Sequence, residues 1–519
     1  MKRPVKSDFI IIGSGFGGAF LAERLARQGR EVLIIERGRW VTRDDSCWDE
    51  VRLHLKDHLY RGRTPIYADQ RDGKTFTDWP DDTVGGMSTF YGAAAFRLRE
   101  ADFQGPPLPD SSVRDSRYAW PFGYGALKKY YDMAEKLQGI AGVRGTDITE
   151  PSPAAEYPHS TPDALARPCR LVADAARSLG LHPFHIPMAI NFSGKFGKEK
   201  CILCPTCDHY LCKIEAKNDL SVNMIPSALK HGAKILDETR VVKININRGR
   251  AESVDLIDQR NGERYTVKAK NIIVSAGALN TPHLLLSSGI ESHTAAGHNI
   301  GRRLMRHSNG IVAGLFKNKS NPDQILQKRI AIPDYYHGSL PGMDEKPEGP
   351  WGIIQDVSSI GKGVIKANAP TGLKNIAAFF SDYLINQLCI AEDIPQYDNR
   401  VFADSTEKDI FGMPALKVYH RYHQRDIQAR DALYRAAKRI LRKAGALVFY
   451  TMPIETFSHA LGTCRMGSSA ELSVVNPECG IWGIKNLHIC DGSVLSSGGS
   501  VNPSLTIAAL SLRLSDTFK

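Results

Sequence analysis

Phe9-Ile-Ile-Ile-Gly13-Ser-Gly15-Phe-Gly-Gly18 runs four apolar residues directly into a glycine-rich turn. A short continuous apolar run suits a strand buried on both faces of a parallel sheet. The glycines stand where such a strand turns tightly into a helix. Gly13 permits the turn, Gly15 lets the backbone approach a pyrophosphate, and Gly18 lets the helix pack close to the sheet. The spacing predicts a helix over Ala19–Gln28 and a second strand over Glu31–Ile35, ended by Glu36. Strand, turn, helix, strand and acid in that order form a dinucleotide site, with the phosphates at the helix N-terminus. A carboxylate at Glu36 suits the two hydroxyls of an adenosine ribose and repels a 2′-phosphate, which disfavours NADP. The unit does not distinguish NAD from FAD.

Working outward, 519 residues exceed one compact core and predict two or three domains' worth of structure, interleaved or not. Hydrophobic residues at 42% and charged ones at 24% describe an ordinary globular chain, neither disordered nor fibrous. No apolar run reaches the length of a bilayer span. The basic start meets its apolar run at Phe9–Ile12 and is interrupted by Gly13, too early for a secretory signal, so a cytoplasmic location is expected. The net charge of +11 comes from scattered Lys and Arg with no aromatic interleaving, which argues against nucleic acid as a partner. No internal repeat or low-complexity segment is evident.

The last sixty residues carry His459-Ala-Leu-Gly-Thr-Cys-Arg-Met-Gly467, Asn486-Leu-His-Ile-Cys-Asp491-Gly-Ser493, and Ser500-Val-Asn502-Pro-Ser-Leu-Thr506 leading into an apolar helix, Ile507–Leu514. Here the chain resembles the glucose–methanol–choline (GMC) oxidoreductase family of flavoproteins. Other segments are similar to that family along residues 8 to 515. Asp82-Thr-Val-Gly85-Gly86-Met-Ser88-Thr resembles its flavin loop, and Trp120-Pro-Phe-Gly-Tyr124 with Tyr130-Tyr131 and Ala134-Glu135 its helix entry. Ser275-Ala-Gly277 through Gly289, and Asn299-Ile-Gly301 through His307, resemble its second signature; residues 310–450 are the least diagnostic.

The resemblance implies an α/β fold, α+β overall, in which a Rossmann-like FAD-binding domain is interleaved with a sheet-and-helix substrate domain. The expected division is 7–100, 215–305 and 456–519 for FAD, and 101–214 and 306–455 for substrate. Runs such as Arg240–Ile246 and Asn271–Val274 fit strands of the middle FAD segment. The implied cofactor contacts are Gly13, Gly15, Phe16, Gly18, Glu36 and Arg37; Gly85, Gly86 and Ser88; Val241, Ala276 and Gly277; and Asp491, Gly492, Asn502, Pro503 and Thr506. In the branch nearest the flavin loop, pyranose oxidase, a histidine after Ser-Thr carries a covalent flavin; here that position is Phe90, so the flavin is expected to be non-covalent.

Alcohol oxidation removes a hydroxyl proton and a hydride from one carbinol group. The flavin takes the hydride at N5, and the protein must take the proton. An imidazole suits that task, and the resemblance assigns it to His459. The resemblance pairs it with Asn502, expected to donate a hydrogen bond to the developing alkoxide without competing for the proton. His293, Arg306 and His307 are read as structural or substrate-lining, without assigned roles.

Four of ten cysteines crowd together as Cys201, Cys204, Cys207 and Cys212. Their spacing suits an iron–sulfur cluster, a zinc ion, or reduced thiols with or without a local disulfide. It is similar to that in gluconate 2-dehydrogenase flavin subunits, and an electron exit there favours a dehydrogenase over an oxidase. The substrate expected is a sugar, glycoside or polyol. An apolar or sterol alcohol is the alternative, with Phe379, Phe380, Tyr383 and Leu384 lining a pocket or filling a core, and a redox-silent flavin lyase is the alternative of another class. The electron acceptor is oxygen, a quinone or a redox protein.

Overall fold

The computed structural model describes residues 6–53, 67–69, 74–76, 82–105, 115–151, 155–194, 199–337, 352–359 and 361–518. At its centre the strand Lys6–Ile12 lies between Val32–Ile35 and Arg264–Val274, parallel to both, with Ile10 opposite Leu33 on one side and Ile272 on the other. Phe9 to Ile12 and Val32 to Ile35 are all buried, as continuous apolar runs in a doubly covered parallel sheet require. Lys234–Leu236 extends the sheet beyond Val32–Ile35.

On the other side, Arg264–Val274 serves two partners. Its first half pairs antiparallel with Arg250–Asp258, and its last residues pair parallel with Leu487–Ile489, which brings the C-terminal segment into the sheet. Arg250–Asp258 and Thr239–Asn247 form a hairpin whose two central residues, Arg248 and Gly249, both have positive φ. That is the turn whose twist matches paired strands.

The first helix spans Phe16–Arg27 and starts three residues earlier than its apolar pattern predicts. Its N-cap, Gly15, supplies no side-chain acceptor, so the first-turn N–H groups stay available at the sheet's C-terminal edge. The helix is buried almost all round because the sheet lies on one side and the helices Ser504–Ser515 and Met224–Lys230 pack on the others.

A second, wholly antiparallel sheet runs in the order Val448–Pro453, Gly310–Leu315, Leu384–Ile390, Ile353–Val357, Ile330–Ile332, Phe184–His185. Strand alternation gives it two faces. Val312, Ile354, Ile385 and Cys389 pack with the helices Arg167–Ser178 and Gln424–Lys443, while Ile311, Val357, Leu388 and Met452 turn toward the cavity described below. A third sheet joins Arg400–Lys408 and Pro414–Tyr419 to the short strands Tyr67–Asp69 and Lys74–Phe76.

Phe379 and Phe380 neither line the cavity nor fill a core: they are 58% and 44% exposed on the helix Lys374–Phe380. The reason is local, since this seven-residue helix buries only Ala378.

Candidate active site

A cavity of about 960 Å³ runs from the first glycine turn to the junction of the two large sheets. At its inner end Gly13 has φ +100°, and a Cβ there would stand 2.3 Å from the Ser275 carbonyl oxygen. A Cβ on Gly18 would meet the Gly13 carbonyl oxygen at 2.0 Å, so this glycine serves helix-to-strand contact, as expected. At Gly15, by contrast, a Cβ meets no protein atom within 4 Å. The open space beside Gly15 lies at the helix N-terminus, where unpaired N–H groups attract a phosphate.

Glu36 is buried beside this turn. One carboxylate oxygen accepts from the Ser14 N–H at 2.9 Å and the Ser14 hydroxyl at 2.6 Å, and the other accepts from the Gly38 N–H at 2.8 Å. Burial raises its pKa, while the Ser14 hydroxyl, the two N–H groups and Arg37 pull it back down. The oxygen bonded to the Gly38 N–H keeps a second lone-pair direction for a ribose hydroxyl, while the other already accepts twice from Ser14. The Ser14 oxygen also accepts from the Gly85 N–H at 2.8 Å, which ties the second glycine loop to the first. A Cβ on Gly86 would stand 3.4 Å from the Gly15 Cα, so the two loops face each other at backbone distance. Ser88 is occupied internally, donating to the Gly85 carbonyl and accepting from the Leu220 N–H. Arg37 pairs with Asp82 at 2.7 Å.

Asp491 closes the floor. Its carboxylate accepts from the Ser493 N–H at 2.8 Å, the Gly277 N–H at 2.9 Å and the Thr281 hydroxyl at 2.5 Å. Burial raises its pKa against those hydrogen bonds. The carboxylate thus joins the C-terminal strand to the N-terminus of the helix Gly277–Ser287 at the cavity wall.

At the far end stand His459 and Asn502. The Asn502 Nδ2 lies 3.4 Å from the His459 Nε2, and the Asn502 Oδ1 accepts from the Gln355 Nε2 at 3.0 Å. The other ring nitrogen of His459, Nδ1, lies 3.0 Å from the Nδ1 of His307. Burial, His307 and the Lys328 ammonium hold the His459 pKa well below its ordinary value, which keeps the ring neutral and able to take a proton. Beyond this pair the wall carries Asp208 and Lys328, ion-paired at 3.0 Å, with Asn309, Ser358 and Ser359.

Two family models cover this architecture: residues 156–309 and 395–511 each match GMC oxidoreductase. The chain belongs to the GMC oxidoreductase family. Residues 11–59 match an NAD(P)-binding Rossmann-like domain, in keeping with the first glycine turn. Paromamine 6′-oxidase from Streptomyces fradiae is 29% identical over 98% of this chain and 90% of its own. 2-Methyl-1,2-propanediol dehydrogenase from Mycolicibacterium austroafricanum is 29% identical over 98% and 95%. The crystal structure of pyridoxine 4-oxidase from Mesorbium loti superposes with a TM-score of 0.67 at 18% identity, covering 99% of both chains, a likeness of fold.

FAD, the family's cofactor, fits this GMC chain. The clear space at Gly15, the buried Glu36 and the helix N-terminus form a cradle at one end of a cavity that reaches His459 at the other. Of the residues expected to contact it, all but Gly18 and Thr506 line the cavity. Thr506 is buried away from it, its hydroxyl 2.8 Å from that of Tyr131, because the helix Ser504–Ser515 turns this position toward Tyr131. Phe90 packs with Cys47, Leu53 and Leu211.

Among the described residues, no three His, Cys, Asp or Glu side chains converge as a metal site requires, so of the readings open for Cys201, Cys204, Cys207 and Cys212 the iron–sulfur cluster and the zinc ion find no support. The loop is organised around a different cation. The buried Lys217 ammonium donates to the carbonyls of Tyr91, Cys207 and Tyr210 at 3.0, 3.2 and 2.7 Å. All four thiols are free, and burial pushes the Cys201 pKa up to about 11. The preference for a dehydrogenase rested on that cluster and loses its basis. Among the described residues, no helix is long and apolar enough to cross a membrane.

Sequence reasoning missed Ser14 and Gln355, and it read His307 as structural or substrate-lining without seeing its contact with His459. Ser14 sits inside the glycine motif and carried a signal of its own as a hydroxyl beside the ribose acid. Gln355 and His307 come from the segment with the weakest motifs and from the end of the second signature, and their partners are 147 and 152 residues away. His293 is exposed on a short helix, and Arg306 donates to the Tyr422 hydroxyl at 2.8 Å.

Proposed function

We propose that the protein oxidises a hydroxyl of a sugar, glycoside or polyol to a carbonyl, with His459 as base and Asn502 as its hydrogen-bonding partner. The observation that carries this reading is the 3.4 Å juxtaposition of His459 Nε2 and Asn502 Nδ2 at the end of a cavity whose other end is a dinucleotide cradle. Bound FAD supplies a two-electron acceptor for the hydride. The residues that would hold it are the Gly13–Gly15 turn and Glu36 at the adenosine end, and Gly85, Gly86 and Asp491 along the middle. Residues 7–100, 215–305 and 456–519 are assigned to its domain, and 101–214 and 306–455 to the substrate.

The substrate hydroxyl sits between the two side chains. Its O–H bond breaks toward His459 Nε2, its carbinol C–H bond breaks with both electrons leaving as hydride, and the C=O bond forms. Asn502 Nδ2 donates to the oxygen as negative charge develops there. Asp208, Lys328, Asn309, Ser358 and Ser359 give the outer wall polar partners for further hydroxyls, which supports a polyhydroxylated substrate over an apolar alcohol. The relative named for a diol supports the same class.

His459→Ala slows anaerobic flavin reduction about a hundredfold or more; near-normal reduction rejects the assignment. A substrate screen that follows dye reduction alongside peroxide release separates dehydrogenase from oxidase turnover, and failure of every alcohol to bleach the flavin favours a lyase. With Phe90 in place of a histidine, the flavin is non-covalent, and acid precipitation leaves the yellow colour in the supernatant.

A further inference from the structure

His307 carries no role in the reaction proposed above, yet its geometry is heavily constrained. It is fully buried with φ +58°, a left-handed conformation that a non-glycine side chain rarely adopts. Such a conformation persists where the surroundings over-determine it, and it then clusters with function. The surroundings here are specific. The Asp393 carboxylate accepts the N–H groups of Arg306 at 2.8 Å and His307 at 3.1 Å, and the Tyr422 hydroxyl donates to the His307 carbonyl at 2.8 Å. These clamps set the ring perpendicular to that of His459, with centroids 5.1 Å apart.

The hydrogen bonds of the ring leave one consistent arrangement of protons. His307 Nε2 faces the carbonyl oxygen of Gly498 at 3.4 Å, an acceptor without a proton, so this nitrogen carries the hydrogen. Burial lowers the pKa of both histidines, so both rings are neutral and each has a single N–H. The His307 Nδ1 is then a bare acceptor. The 3.0 Å contact between the two Nδ1 atoms requires one donor, and only His459 can supply it.

The geometry points to His307 as a positioning residue that locks His459 in the Nδ1–H tautomer and leaves the lone pair of His459 Nε2 facing the cavity and Asn502. The inference rests on the reading of His459 as the base and adds what sets its proton. The lock also works after proton transfer, because the new imidazolium keeps donating its Nδ1–H to His307 while the substrate's proton resides on Nε2. Without the lock, the neutral ring divides between two tautomers, and the one with a proton on Nε2 cannot accept another there. Other charged and titratable groups around the pair are Asp393, Asp102, Glu392, Lys328, Arg306 and Tyr422.

The test uses flavin-loaded full-length protein with ¹⁵N-labelled histidine, the His459 signals being identified by their loss in His459→Ala. In the unsubstituted protein at neutral pH, the His459 Nδ1 is protonated and Nε2 is not. Protonation at Nε2, or a mixture of tautomers, overturns the proposal, and this measurement does not depend on any variant folding. His307→Leu, which has no acceptor, mixes the tautomers and slows anaerobic flavin reduction about 10- to 100-fold. His307→Asn tolerates the left-handed backbone, offers Oδ1 where Nδ1 stood, and restores most of the rate and the single tautomer. Unchanged tautomer and rate in His307→Leu reduce His307 to packing. Normal flavin reduction in His459→Ala, by contrast, defeats the assignment of the base and leaves the tautomer result standing.

Discussion

A Cβ on Gly17 would stand 1.6 Å from the Cys490 carbonyl oxygen, whereas one on Gly15 meets no protein atom within 4 Å. The same substitution therefore separates folding from cofactor binding. Gly17→Ala forces the first helix off the C-terminal strand and costs about 3 kcal/mol, read as a lower midpoint in thermal unfolding of the flavin-free protein. Gly15→Ala leaves that midpoint nearly unchanged and weakens FAD binding, measured by titration of the apoprotein. Gln355 is a second residue of this kind. Gln355→Leu removes the donor that fixes the Asn502 amide, so flavin reduction slows about tenfold with the flavin content unchanged. At this scale, what the sequence revealed depended on distance along the chain. Glu36 was readable because turn, helix and strand lie within one local unit. The Gln355–Asn502 contact spans 147 residues, and no local pattern encodes it.

The elements near the site follow the same division. The first strand and helix and the closing helix announce themselves by apolar runs and glycines, and differ from expectation only at their ends. The cysteine loop did not, because thiol spacing alone suits both a metal site and an ordinary loop. Its organising group is Lys217, whose three donors meet three carbonyls, a pattern visible only once the chain is folded. Lys217→Met leaves those carbonyls without a donor and destabilises the protein by about 3 kcal/mol, measured by denaturant unfolding. Protein purified anaerobically contains neither iron nor acid-labile sulfide at this loop, and stoichiometric iron with sulfide would reverse the assignment.

Across the whole molecule, burial lowers the pKa of His283, His307, His459 and His488, the last to about 4. The unfolded chain protonates these rings near pH 6.5, whereas the folded one resists until lower pH. The stability these rings contribute is thus complete above that value and falls as the solution is acidified through the window below it, because their unfolded forms bind more protons there. Thermal midpoints measured from pH 8 to pH 5 decline mainly below about pH 6.5. With His459 as the proposed base, the acid limb of the pH–rate profile of flavin reduction is expected below the pH of an ordinary histidine, and a limb at or above pH 6.5 contradicts that expectation.

The parallel pairing of Leu487–Ile489 with the end of Arg264–Val274 has a consequence for synthesis. A chain leaving the ribosome N-terminus first displays its phosphate cradle long before Asp491, Asn502 and the helix Ser504–Ser515 that covers Phe16–Arg27 have been made. Nascent chains stalled before residue 487 therefore capture no flavin, so yellow colour marks a chain translated beyond that residue.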